Sequence, residues 1–98
     1  LLEGADLEGA YLEGVDLDRA TLVSANLRGA VLVRAFLRCA DLRDANLKEA
    51  DLTGARLDGA DLRSSSLDGA ELGEALFDEL TKFPSGFDPE ASGMIRIG

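Results

Sequence analysis

ADLRDANLKEADLTGARLDGADLR, residues 40–63, repeats one five-residue unit nearly five times over. Leu42, Leu47, Leu52, Leu57 and Leu62 each follow an Ala two places earlier. Outward from this stretch, Leu recurs at every fifth position from Leu2 to Leu72, fifteen times without a gap, and Phe77 takes the next place. The small residue two before each Leu is Ala throughout, except at Val15 and Ser65. The residue just before the Leu is often acidic or amidic: Asp6, Asp16, Asn26, Asp41, Asn46, Asp51 and Asp61. Gly recurs two places after it.

A period of five fits neither regular element. In an α-helix, at about 100° per residue, five residues advance about 140° past a full turn, so the Leu side chains would spiral over the whole surface. In a flat strand an odd spacing sends alternate Leu to opposite faces. The chain must turn once per repeat so that every Leu meets one interior, which is a solenoid. Leu7, Leu12, Leu17, Leu22, Leu27, Leu32, Leu37, Leu42, Leu47, Leu52, Leu57, Leu62, Leu67 and Leu72 are its predicted core. The intervening Ala fill the gaps between them. Burying each Leu contributes roughly 1.5–3 kcal/mol before chain entropy is subtracted. The period leaves three-sided and four-sided coils both open.

The unit A-(D/N)-L-x-x, as in Ala5-Asp6-Leu7-Glu8-Gly9 and Ala60-Asp61-Leu62-Arg63-Ser64, resembles the pentapeptide repeat family. The resemblance covers about the first eighty residues. It implies an all-β fold, a right-handed quadrilateral parallel β-helix with four repeats per coil and about four coils. At about 4.8 Å per coil the rod would be roughly 20 Å long. Twenty residues per coil would oppose Glu8/Arg28, Asp18/Arg38, Arg38/Asp58 and Lys48/Asp68, but also the like pair Arg28/Lys48.

The period fails after Leu80. Residues 81–98, TKFPSGFDPEASGMIRIG, carry both prolines and the apolar anchors Phe83, Phe87 and Met94. Two units are expected, a β-helix over 1–80 and a capping tail over 81–98, built as a loop or short helix. Residues 71–81 also satisfy helical spacing through Leu72, Leu76 and Leu80, as an alternative end to the repeats. The stretch TKFPSGFDP resembles tails that follow the repeats in cyanobacterial members of the family. The first rung carries no cap, which suggests residues ahead of Leu1 or end-to-end association of copies through that edge.

Composition narrows the function. The 98 residues contain no His and a single cysteine, Cys39, so the commonest general base and any Cys-based zinc site are missing. Ser65 reads as a tolerated small residue inside the tube, and Cys39 falls at an outward corner. Asp41/Asp61 and Asp58/Asp78 would stack as like charges and read as solvated carboxylates. No catalytic, cofactor or metal site is expected, and the protein is not expected to be an enzyme. Net charge is −9, which argues against direct nucleic-acid binding, and no apolar run reaches membrane-span length. A soluble, cytoplasmic protein is favoured; the chain opens inside a repeat, leaving room for a signal ahead of it.

Charge is uneven along the chain. Residues 1–20 carry net −5, residues 21–40 net +3 from Arg28, Arg34 and Arg38, residues 41–60 net −2, and residues 61–80 net −5. Beside this basic belt, Tyr11, Val31 and Val33 share one side and Phe36 lies on the next. Together these seven residues are the candidate partner surface. The expected role is a non-enzymatic structural or protein-interaction module. Some members of the resembled family are acidic rods that imitate DNA and bind DNA gyrase, which gives the alternative. A short rod, an interrupting basic belt and the lack of an evident dimerisation helix weigh against it.

Overall fold

The computed structural model describes residues 2–98. Parallel bridges join residues twenty apart: Asp6 to Asn26 to Asn46 to Ser66, Tyr11 to Val31 to Asp51 to Glu71, Asp16 to Phe36 to Arg56 to Leu76, and Thr21 to Asp41 to Asp61. Twenty residues make one circuit and five make one side, so the coil is four-sided.

Accounting for the backbone donors of one repeat explains its composition. Asn26 N–H reaches back to Ala5 C=O at 2.8 Å, while Leu27 and Gly29 N–H reach forward to Asn46 and Lys48 C=O at 2.8 and 2.9 Å. Ala30 N–H closes a turn onto Leu27 C=O at 3.0 Å. Only Arg28 N–H is left over, and the Asn26 side chain accepts it through Oδ1 at 3.1 Å. Asp6, Asp16, Asp41, Asn46, Asp51 and Asp61 do the same for the residue two places on. The recurrent Asp or Asn thus satisfies the one N–H that coil stacking leaves orphaned.

Each corner turn up to the one ending at Ala75 has positive φ at its third residue, as a type II turn requires. Gly supplies it in several repeats, but Arg19, Ser24, Arg34, Cys39, Asp44, Glu49, Ser64 and Glu74 hold φ of 57–63° without being Gly. An L-residue there costs about 1–2 kcal/mol, of which glycine's extra chain entropy returns about 0.5–1 kcal/mol. Ser24→Gly is therefore expected to raise stability by about 0.5–1 kcal/mol, read as a few degrees in Tm. Gly59→Ala runs the other way. Its φ is 76° and an added Cβ would lie 3.0 Å from Cys39 Sγ, so Tm should fall.

The interior is one stack. Leu22 through Leu62, at every fifth position, are 0–1% exposed, with Ala25 through Ala60 between them. Leu7, Leu12 and Leu17 are only half-buried, because no rung among the described residues lies on their outer side, and Leu67 is half-buried at the other end. Ser65 is buried and its Oγ donates to Leu62 C=O at 2.8 Å.

Residues 71–81 continue the repeat rather than form a helix. Glu71 bridges Asp51, and Leu76–Phe77 form a short strand, β1, with Phe77 buried in the Leu column. The backbone-paired side leaves Leu80 exposed, so the helical spacing is unused. The register then slips by one residue, because Asp61 pairs with Lys82. Beyond it come a 3-10 turn, Glu90–Ser92, and a strand β2, Ile95–Arg96, which pairs in parallel with β1. Phe83 packs edge-on against Phe77 at 5.6 Å and stacks on Phe87 at 5.3 Å. Met94 is buried against the core. The principal extents are 31 × 24 × 19 Å.

Candidate functional site

Tyr11 and Val31 are bridge partners on adjacent rungs of one side, and Val33 stands two residues on along the Val31 rung. Tyr11 is 74% exposed, while Val31 and Val33 are half-buried. The Tyr11 hydroxyl donates to Glu13 Oε1 at 2.5 Å, and Glu13 Oε2 accepts from Arg34 at 3.3 Å. The bond to Glu13 and its negative charge raise the phenol pKa above its ordinary value. This exposed ring is held in place by a three-residue polar chain.

Phe36 lies around the corner, bridged to Asp16 and Arg56, and is 38% exposed. The Arg38 guanidinium sits 5.4 Å from its ring centroid. Arg38 is itself clamped by Asp18, which accepts its N–H at 2.8 Å and its Nη2 at 2.6 Å. Those hydrogen bonds hold the Asp18 carboxyl below the ordinary carboxylate value.

The structure places the arginines of the basic belt against acids of neighbouring rungs. Arg28, Arg34 and Arg38 sit on three different sides, and each has an acidic partner: Glu49 at 3.5 Å, Glu13 at 3.3 Å and Asp18 at 2.6 Å. Acids on the flanking rungs reach across to them, so the belt is a set of ion pairs rather than a free cationic patch. Of the expected pairs, only Asp18/Arg38 forms. Among the described residues Glu8/Arg28, Arg38/Asp58 and Lys48/Asp68 do not come within ion-pair distance, and for the first two pairs nearer partners compete. Arg28 reaches diagonally to Glu49, Glu8 accepts from Asn26 Nδ2 at 3.3 Å, and Asp58 takes Arg56 at 3.1 Å within its own rung.

The stacked carboxylates are likewise occupied. Arg43 lies between Asp41, at 2.7 Å, and Asp61, at 3.9 Å, while Arg63 holds Asp61 at 2.6 Å. Hydrogen bonds from Arg43 and Arg63 keep both carboxyls below their ordinary pKa. Among the described residues no group of three or more His, Cys, Asp or Glu is placed to hold a metal ion. Cys39 is a free, exposed thiol at a corner. No helix of the described residues is long and apolar enough to cross a membrane.

The family model for pentapeptide repeats matches residues 1–38 and 40–78, in 8 copies. The chain belongs to the pentapeptide repeat family. Its fold is accordingly that family's right-handed β-helix. A pentapeptide repeat protein from Nostoc Pcc 7120 is 41% identical, with a TM-score of 0.74 over 97% of this chain and 83% of that one. A second, from the cyanobacterium Cyanothece 51142, is 32% identical, with a TM-score of 0.53 over 80% of this chain and 56% of its own length. Among curated proteins no match is found. The cyanobacterial relatives agree with the resemblance of the tail.

Asp78 is a structural residue that the sequence did not announce. Among the described residues it has no ion-pair partner; its Oδ1 accepts Gly59 N–H and Leu80 N–H, and its own N–H donates to Thr81 Oγ1, all at 3.0 Å. The sequence marks it only as a like-charge neighbour of Asp58, just before the period fails.

Proposed function

We propose that this pentapeptide repeat protein is a non-enzymatic binding module of about four coils over residues 1–80. Residues 81–98 cap it, with Phe83, Phe87 and Met94 folded over the last rung. Its lateral surface of Tyr11, Val31, Val33 and Phe36 engages another protein. One observation carries the reading: a 74% exposed tyrosine is held by Glu13 and Arg34 directly beside an aliphatic neighbour. An anchored aromatic loses little side-chain entropy on binding, which is why such residues dominate interface energetics. Arg28, Arg34 and Arg38, already paired, act as rim and buttress rather than as a cationic bait. Self-association through the first rung remains part of the reading, since its Leu residues are half-buried.

Tyr11→Ser combined with Val31→Ser is expected to leave far-UV circular dichroism and Tm within a few degrees of the parent. Both side chains lie outside the Leu stack, so little burial is lost. Loss of partner capture from lysate by the double variant, with capture by Leu-stack-neutral surface variants intact, supports the surface; equal capture removes it. The DNA-mimic alternative rests on the family resemblance and on the net charge of −9. The longest extent, 31 Å, matches only about nine base pairs at 3.4 Å per step.

A further inference from the structure

Two sides of the last coil receive a backbone bond from the tail. β2 continues the column ending at Leu76, and Gly93 C=O accepts Glu74 N–H at 2.9 Å on the side of Glu71, whereas Lys82 completes the last coil itself. The side of Asp6, Asn26, Asn46 and Ser66 receives no backbone pairing beyond Ser66. In the rung beneath, Leu47 N–H donates to Ser66 C=O, Glu49 N–H to Asp68 C=O, and Ala45 C=O accepts Ser66 N–H. The corresponding groups one rung on, Leu67 N–H, Gly69 N–H and Ser65 C=O, make no backbone hydrogen bond. A cleft of about 380 Å³ lies at Ser65 and Leu67, lined by residues 65–68 and 84–87, among them the half-buried Leu67 and Phe87.

We propose that this open edge is a docking groove for an extended, cationic segment of a partner polypeptide, which completes the missing rung by strand addition. Unpaired ladder groups at a sheet edge are a template for exactly spaced main-chain pairing, and alternate side chains then supply specificity. The rungs beneath define the ligand. An apolar residue covers Leu67, an Asn or Asp covers Ser66, and a Lys or Arg covers Asp68. Asp68 has no ion-pair partner among the described residues, and residues 61–80 carry net −5. Charge therefore selects a basic segment over a second copy of this acidic chain. The groove is separate from the Tyr11 surface and does not depend on it.

The probe is the acetylated, amidated peptide Ala-Asn-Leu-Lys-Gly-Ala, titrated into the full chain and followed by amide NMR. Its Asn N–H would meet Ser65 C=O, and its Asn and Lys carbonyls would meet Leu67 and Gly69 N–H. The expected result is shifts centred on Leu67 and Gly69, with amide exchange there slowed at least about tenfold at saturation. N-methylation of the peptide's Asn should weaken binding about tenfold, as loss of one hydrogen bond allows. Asp68→Lys should weaken the Lys peptide and favour the same peptide with Glu in that place. Absence of shifts at Leu67 and Gly69 up to about 5 mM peptide overturns the proposal. So do shifts confined to β2 or Tyr11, and so does protection that appears on raising protein concentration alone, which would assign the edge to a second copy.

Discussion

Leu42→Asp is expected to unfold the protein at neutral pH. Leu42 is fully buried, with Leu22 one rung before it and Leu62 one rung after it in the stack. The substitution removes roughly 1.5–3 kcal/mol of burial and leaves a carboxylate in a tube whose walls offer no cation, costing several kcal/mol more. Total stabilities of small domains are only about 5–15 kcal/mol. Position matters as much as chemistry. In a solenoid each rung is stabilised by its two neighbours, so a break in the middle leaves two short stacks, neither of which buries enough to stand alone. Leu42→Ala, which keeps the tube neutral, should cost about 2–5 kcal/mol and lower Tm by about 10 °C or more. Leu7→Ala at the half-buried first rung should cost clearly less. Circular dichroism melts of the three variants give the ranking. A folded Leu42→Asp, or equal losses at Leu7 and Leu42, would contradict a continuous dry core.

The fold was legible because its main determinant, Leu at every fifth position, is a one-dimensional signal. A spacing that no helix or flat strand can bury leaves a coil as the solution, and the family resemblance supplied its four sides. What stayed hidden depends on geometry between rungs. The Asp and Asn residues before each Leu stood out as a pattern, but their role needs the orphaned N–H two residues on, which only the hydrogen-bond ladder reveals. Positive φ at Ser24, Asp44 or Glu74 has no mark in the sequence, since neighbouring repeats place Gly at the same corner. Pairing residues twenty apart found Asp18 for Arg38 but not the partner of Arg28, for a similar reason. It assumes side chains project straight out, whereas Arg28 and Arg34 lean to the adjacent corner and meet acids twenty-one residues away. The apolar cluster of Tyr11, Val31 and Val33 was legible as a column because bridge partners are twenty apart; its anchoring by Glu13 was not.

The second large effect is expected at Asp78, where the register slips. A regular repeat would close Gly59 N–H onto a backbone carbonyl one rung on. Here the Asp61–Lys82 pairing adds one residue to the circuit, and Asp78 Oδ1 takes Gly59 N–H instead. The same oxygen accepts Leu80 N–H, and Thr81 Oγ1 accepts Asp78 N–H while donating to Leu57 C=O, both at 3.0 Å. Asp78→Ala removes this acceptor; Gly59 N–H keeps only its longer contact to Thr81 Oγ1 at 3.2 Å and the exposed Leu80 N–H turns to water, so a loss of about 1.5–3 kcal/mol is expected, that of one part-buried bond to a charged group. The isosteric Asp78→Asn retains an acceptor and should lose less. Protonation is a milder form of the same change. Burial pushes the Asp78 carboxyl up, but the N–H donors of Gly59 and Leu80 and the contact with Thr81 outweigh it, and its pKa lies below the ordinary carboxylate value. A depressed folded-state pKa means that the stabilisation is fully present above the unfolded value, about 3.9, and is lost as pH falls through the lower folded value. Amide exchange at Gly59, Leu80 and the tail should therefore accelerate as pH drops below about 4, after correction for the intrinsic pH dependence of exchange. In Asp78→Asn that acid step should be missing at these amides while persisting near Asp18, whose own carboxyl is lowered by Arg38. An unchanged acid step in Asp78→Asn would place the slip's stability elsewhere, in the Phe77–Phe83–Phe87 packing rather than in one carboxylate.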